Sequence, residues 1–220
     1  MEALAAVELP AGAGWQYEPK WDGFRCLVFR NGDQVEMQSK SGRPLARYFP
    51  DVVAALAAWP PRGFVLDGEL VVPVNGRLSF EELQLRLHPA ASRVRMLAAQ
   101  HPAIFVAFDL LVEERELLAR LPLVERRRRL KAFFSRWGGT DTLRLSPATP
   151  DLAVARRWLA TLGGGLDGII AKRMDASYES GLRSGAVQKI KNLRTADCVV
   201  GGFRYAAKGG AVGSLLLGLY

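Results

Sequence analysis

The stretch YEPKWDGFRC, residues 17–26, puts a lysine at the end of a strand-like run, with Asp22-Gly23 and Arg25 close behind. Working outward, Phe24, Cys26 and Val28 alternate with Arg25, Leu27 and Phe29. Asn31-Gly32 supplies a turn and residues 35–40 return, so 15–40 reads as a hairpin. Two readings of Lys20 stand side by side: an exposed lysine beside a turn, or a nucleophile. A lysine attacks only as the neutral amine, and an ordinary side chain with a pKa of about 10.4 is well under about 1% neutral at pH 7. Burial and neighbouring cations favour that neutral form. Trp15, Tyr17 and Trp21 offer burial, and Arg25 offers one cation.

Beyond the hairpin, Pro50-Asp51 suits a first helical turn, and Val52, Val53, Leu56 and Ala57 form one stripe of a helix over 48–58. Trp59-Pro60-Pro61 stops it. FVLDGELVVP (64–73) is a strand rich in β-branched residues. SFEELQLRL (79–87) carries Ser79 and Glu82 in capping-box spacing. AIFVAFDLL (103–111) reads as a buried strand, and 123–137 as a helix with a basic outer face. For 149–165 the pattern predicts a helix with Thr149 as N-cap, Pro150 in the first turn and a glycine stop. DGIIAKRM (167–174), AVQKIKN (186–192) and 196–220 are strand-like.

The chain has 220 residues, 49% hydrophobic and 24% charged, as in ordinary globular proteins. No apolar run approaches the roughly 18–20 residues of a membrane span. The apolar N-terminal stretch contains Glu2, Glu8 and Pro10 and has no basic region like that of a signal peptide. Cys26 and Cys198 lie far apart and in no metal-ligand spacing, so a reducing, cytoplasmic setting is expected. Thirty basic against twenty-two acidic residues give a net charge of +8. That balance suits a polyanionic partner, although a compositional preference for Arg gives the same excess.

Several groups could do chemistry. Asp67 and Glu69 are i and i+2 in a strand, so both carboxylates share a face and could hold a cation such as Mg²⁺; solvated acids are the alternative. Lys189 and Lys191 likewise share a face, arranged for an anion or for an exposed edge strand. Asp167 and Lys172 have opposite parity, so a bulge or end effect is needed to bring both to one site. Phe108 is either core or a flat surface for a nucleobase. Only His88 and His101 are present, and no phosphate-binding glycine loop of the G-x-x-x-x-G-K-[ST] or G-x-G-x-x-G kind occurs. Nucleotide chemistry would have to run through the lysines.

Taken in order, these segments resemble the covalent nucleotidyltransferases, specifically ATP-dependent DNA ligases of the short bacterial kind associated with end-joining. KWDGFR (20–25) looks like the motif K-x-D-G-x-R, whose lysine becomes linked to AMP. SKSG (39–42) is similar to the next motif, with Lys40 where the family usually has Arg; nearby Arg43 could compensate for the lost planar fork. DGE (67–69), FVAFDLL (105–111) and DGIIAKR (167–173) match the following motifs, the last with Asp167 where Glu is more usual. YESGLRSGAVQKIK (178–191) matches the final segment, so the six run collinearly from about residue 15 to 205.

The resemblance implies an α+β fold, an ATP-grasp-like nucleotidyltransferase domain of antiparallel sheets flanked by helices over residues 1–194. It implies the start of an OB-fold over 195–220, whose remainder, and with it efficient nick sealing, would lie beyond Tyr220. It implies Lys20 as the catalytic residue carrying AMP, with Glu69 and Asp167 binding Mg²⁺ or Mn²⁺. Lys40, Arg183, Lys189 and Lys191 become phosphate contacts, Arg25 a ribose or phosphate contact, Phe108 the adenine stacker, and Glu18 a residue near adenine. ATP is the implied cofactor and nicked double-stranded DNA the substrate. Further expectations are a monomer in the bacterial cytoplasm, associated with the nucleoid and with end-joining or primase/polymerase proteins. An RNA ligase, a GTP-using capping enzyme and a non-catalytic DNA-binding fragment are the alternatives on this scaffold.

Overall fold

A computed structural model describes residues 1–160, 166–191, 196–207 and 209–219. In chain order the strands are β1 (Glu2–Ala6), β2 (Trp15–Trp21), β3 (Phe24–Asn31), β4 (Gln34–Ser39), β5 (Gly63–Val71), β6 (Pro73–Val74) and β7 (Arg77–Leu78). They continue as β8 (Ile104–Glu113), β9 (Glu116–Leu117), β10 (Leu143–Leu145), β11 (Leu166–Arg173), β12 (Arg183–Lys191), β13 (Cys198–Tyr205) and β14 (Val212–Leu219). The α-helices are α1 (Pro50–Ala58), α2 (Phe80–Leu85), α3 (Ala91–Gln100), α4 (Leu123–Trp137) and α5 (Leu152–Ala160).

One sheet runs β1-β12-β11-β2, and the larger one β10-β8-β5-β3-β4 with β9 beside β8. Most pairs are antiparallel, as expected, while β1 with β12 and β10 with β8 are parallel. One correction concerns residues 15–40. Only β3 and β4 form a hairpin, paired from Cys26↔Ser39 to Asn31↔Gln34. β2 instead joins the other sheet, next to β11. Asp22-Gly23 is therefore the corner at which the chain changes sheets. A Cβ on Gly23 would lie 2.2 Å from the Leu70 carbonyl oxygen, so only glycine fits that corner.

The larger sheet buries Cys26, Val28, Leu66, Leu70 and Phe105 against Val52 and Leu56 of α1 and Leu130 and Phe133 of α4. Trp59, which ends α1, meets Phe64, Phe133 and Phe134 at ring-centroid distances of 5.5, 5.3 and 5.3 Å. The smaller sheet packs Tyr17, Ile169, Ala171 and Ile190 against Ala155 of α5. Both sheets are thus pinned from outside by helices, which leaves their other faces to line a cleft.

Local signals explain several ends. Pro50 occupies the first turn of α1, and the Glu82 amide donates to Ser79 Oγ (3.2 Å) at the start of α2, as the capping spacing predicts. For α5 the cap is Asp151 rather than Thr149. Asp151 Oδ1 accepts from the Ala153 amide at 2.7 Å, while the Thr149 backbone is taken by pairing with Tyr17. The glycine stop expected at 163–165 and the domain boundary expected after residue 194 lie outside the described residues. The outer face of α4 is basic only in part: Arg126 and Arg127 are buried. Arg126 grips both oxygens of Asp109 at 2.9 and 3.0 Å, an arrangement that satisfies two charges taken out of water. The β13–β14 hairpin pairs with no other strand among the described residues and exposes Val199, Val200, Phe203 and Leu215 to Leu217.

Candidate active site

Between the sheets lies a cavity of about 310 Å³, with Lys20, Glu18 and Lys189 on one wall and Arg25, Glu69 and Phe108 on the other. Two β-bulges shape it. Against β2, β11 pairs Leu166 with Trp21 and then Gly168 with Lys20, leaving Asp167 as the extra residue. Against β5, β8 pairs Asp109 with Asp67 and Ala107 with Gly68, leaving Phe108 extra. A bulge re-aims a side chain that regular alternation would send elsewhere. The first brings Asp167 against Lys20, whereas Lys172 lines the cavity itself. The second lets Phe108 reach the cavity while its neighbour Asp109 also faces inward.

Lys20, next to last in β2, has Nζ 2.6 Å from Asp167 Oδ2, and Lys191 Nζ lies 2.8 Å from the same oxygen. Burial pushes the Asp167 carboxyl up, but hydrogen bonds from Lys191 and Lys20 outweigh it and hold the group below the usual carboxylate range. Gly168 is what allows this approach: with φ at +150°, a Cβ there would lie 2.0 Å from the Ile190 carbonyl oxygen. Asp167 and Lys191 sit behind Lys20 rather than on the cavity wall.

Glu18 is buried, with Oε1 accepting from Gln16 Nε2 and Oε2 from Lys172 Nζ, both at 2.7 Å. Lys172 Nζ in turn lies 4.5 Å from the centre of the Phe108 ring, and the Arg25 guanidinium 5.7 Å from it. Phe108 is half-buried on the cavity wall, so the core alternative for this residue gives way to an exposed aromatic face. Lys40 and Arg183 sit at the cavity edge, each paired with Glu2. Lys189 lines the wall with no ion pair among the described residues.

The two carboxylates of DGE share a face, as expected, but differ in environment. Asp67 is fully buried and accepts from Arg25 Nε (3.0 Å), Arg25 Nη2 (2.6 Å) and the Tyr178 hydroxyl (2.8 Å). Arg25 Nη1 donates to the Met1 carbonyl at 2.5 Å, so the guanidinium is turned into the cavity floor. Glu69 makes no hydrogen bond or ion pair to the described residues. Burial and then the Asp67 charge push its carboxyl up to about 8.

Tyr178 and the Arg126–Asp109 pair are functional supports that the sequence reading missed. Arg126 also donates to the Ala176 carbonyl at 3.1 Å and so anchors the connector that carries Tyr178. The signal for Arg126 was its helical register with Leu130 and Phe133, on the buried stripe of α4. No group of three or more His, Cys, Asp or Glu side chains gathers as a metal cage among the described residues.

Comparison with known proteins identifies the family. The chain is 52% identical over 209 residues to DNA ligase C2 of Mycolicibacterium smegmatis, covering 94% of this chain and 58% of that one. It is 48% identical over 224 residues to DNA ligase C of Mycobacterium tuberculosis, covering 100% and 62%. The chain thus spans about three-fifths of the length of these curated relatives. Its fold superposes on a solved mycobacterial DNA ligase D complexed with ATP and MES, with a TM-score of 0.70 and 30% identity over 98% of this chain and 66% of that one. The class defined by fold and site is the nucleotidyltransferase domain of ligases. Residues 4–191 match the ATP dependent DNA ligase domain, and the chain belongs to that family. The RNA ligase and capping alternatives are accordingly not favoured.

Proposed function

We propose that this chain carries the adenylation chemistry of an ATP-dependent DNA ligase, with Lys20 as the nucleophile. The observation that carries the reading is Lys20 Nζ, held by the bulged Asp167 at the edge of a cavity that also presents an aromatic face and Lys189, which has no ion pair among the described residues. Lys20 Nζ loses a proton and attacks the α-phosphorus of ATP, forming a P–N bond as the bond to pyrophosphate breaks. Asp167 Oδ2, at 2.6 Å, orients Nζ for the attack, and the proton passes to solvent. AMP then passes to the 5′-phosphate of a DNA nick, and the 3′-hydroxyl displaces it.

Phe108 offers its ring to the adenine, and buried Glu18 lies where it can face the base. Lys189 takes phosphate oxygens from the cavity wall, with Lys40 and Arg183 at its edge; Lys191, off the wall, reaches a phosphate by leaving its pair with Asp167. Arg25 acts through the Asp67–Tyr178 cluster, holding the floor next to the ribose and phosphate. Mg²⁺ or Mn²⁺ would supply charge neutralisation at the phosphoryl oxygens. Two features fit such a cation: Glu69 makes no hydrogen bond or ion pair among the described residues, and Asp167 presents its carboxylate beside Lys20. Magnesium would need few protein carboxylates, and Glu69 and Asp167 would supply them.

The excess of basic residues suits duplex DNA as substrate. Residues 1–194 serve as the adenylation domain and 195–220 as the start of an OB-fold. The unpaired β13–β14 hairpin supports that division, since its exposed apolar residues need further strands. End-joining proteins, including primase/polymerase modules, are the proposed partners of a monomer at the bacterial nucleoid. No helix among the described residues is long and apolar enough to cross a membrane.

Intact-mass measurement after incubation with ATP and Mg²⁺ tests the central step. An increase of about 329 Da, the mass of one AMP, is expected. Lys20→Ala should abolish it, and an adduct that survives the substitution refutes the assignment.

A further inference from the structure

β1 runs parallel to β12 and carries Glu2 to the cavity edge. Glu2 Oε1 lies 2.9 Å from Lys40 Nζ, and Oε2 lies 2.8 Å from Arg183 Nη2. Lys40 follows β4 of the larger sheet and Arg183 opens β12 of the smaller one. One carboxylate therefore ties the two sheets together across the cavity. The backbone holds it there, because the Glu2 amide donates to the Leu182 carbonyl at 2.8 Å and the preceding Met1 carbonyl accepts from Arg25.

The cavity's ion pairs differ in how readily they exchange. Glu18–Lys172 and Asp67–Arg25 are each built on a buried carboxylate. In contrast, Lys40 and Arg183 are 56% and 58% exposed, so their side chains can leave Glu2 at little cost. Two cations converging on two carboxylate oxygens also form the arrangement that a phosphate group accepts. A nucleoside monophosphate placed at Lys20 does not need these cations. A triphosphate extends beyond the α-phosphate, carries more charge and competes for them.

We propose that Glu2 determines selectivity among nucleotide phosphorylation states by competing with the β- and γ-phosphates of ATP for Lys40 and Arg183. Resting on the adenylation reading above, this also assigns Glu2 a role after the chemistry: it takes back both cations as pyrophosphate departs. Glu2 thereby weakens ATP binding, leaves AMP binding unaffected, and favours release of the leaving group.

The test is equilibrium binding of ATP and of AMP to the full 220-residue chain, in chelator so that no adenylate forms, for wild type and Glu2→Gln. Releasing two exposed pairs is expected to tighten ATP by about 5- to 10-fold in Glu2→Gln and to move AMP by less than about 2-fold. Adding Lys40→Ala to Glu2→Gln should remove most of the gain. Equal shifts for ATP and AMP, or none, overturn the role of Glu2 while leaving the nucleotide site intact. Failure of the wild type to bind either nucleotide overturns the site itself and this inference with it.

Discussion

Replacing Glu69 by Gln should stabilise the protein, and by an amount that grows with pH. Burial and the Asp67 charge raise the Glu69 carboxyl from 4.5 to about 8 in the folded chain. Between those values the unfolded chain has lost the proton and the folded chain keeps it, so the unfolded state binds fewer protons and stability falls as pH rises. Gln keeps the shape and removes the titration. At about 1.36 kcal/mol per pKa unit, the gain for Glu69→Gln is under about 1 kcal/mol at pH 5, about 3 at pH 7, and levels off near about 5 above pH 8. Urea denaturation of both proteins at pH 5, 7 and 9, followed by tryptophan fluorescence, measures the difference at each pH. A difference that stays flat across this range would refute the reasoning, because it would mean that Glu69 ionises in the fold as it does in water. Lysyl-AMP formation by Glu69→Gln should fall despite the added stability, since the open carboxylate is the proposed cation ligand.

Gly168→Ala should cost at least about 1–3 kcal/mol and lower adenylation more than Phe108→Leu does, because its Cβ would meet the Ile190 carbonyl and displace the Asp167 bulge; thermal unfolding with intact-mass assay reads both effects. Asp109→Ala should cost about 3–5 kcal/mol by leaving Arg126 charged and buried, whereas Asp109→Leu with Arg126→Met should recover most of the loss in a denaturant titration.

Much of the local architecture was legible because its causes are local. The Asn31-Gly32 turn, Pro50 at the start of α1 and the Ser79 cap each depend on residues within a turn of one another. β-Branched content located β5 and a continuous apolar run located β8, and the lysine and carboxylate motifs lay in order along the chain. Less could be read where a remote partner decides the outcome. β1 has ordinary apolar composition and becomes a strand only because β12 offers it an edge. Arg126 lies in register with the buried stripe of α4, but its partner Asp109 is set only by the fold. Thr149 is a good cap by type, but its backbone pairs with Tyr17, and Asp151 takes the role.

For the lysine of YEPKWDGFRC, sequence alone determined the chemical inventory: an amine before a glycine corner, with carboxylates, cations and an aromatic residue following in order. Tertiary structure decided which of them meet. Lys20 and Asp167 stand 147 positions apart and touch at 2.6 Å. They meet because a bulge beside Gly168 turns a carboxylate that regular strand alternation would have sent to the opposite face. The same kind of irregularity brings Phe108 into the cavity, and the parallel pairing of β1 sets Glu2 between Lys40 and Arg183. Residue types and spacing encode local backbone preference, whereas bulges and sheet register arise from close packing between distant segments, which no single stretch of the chain contains.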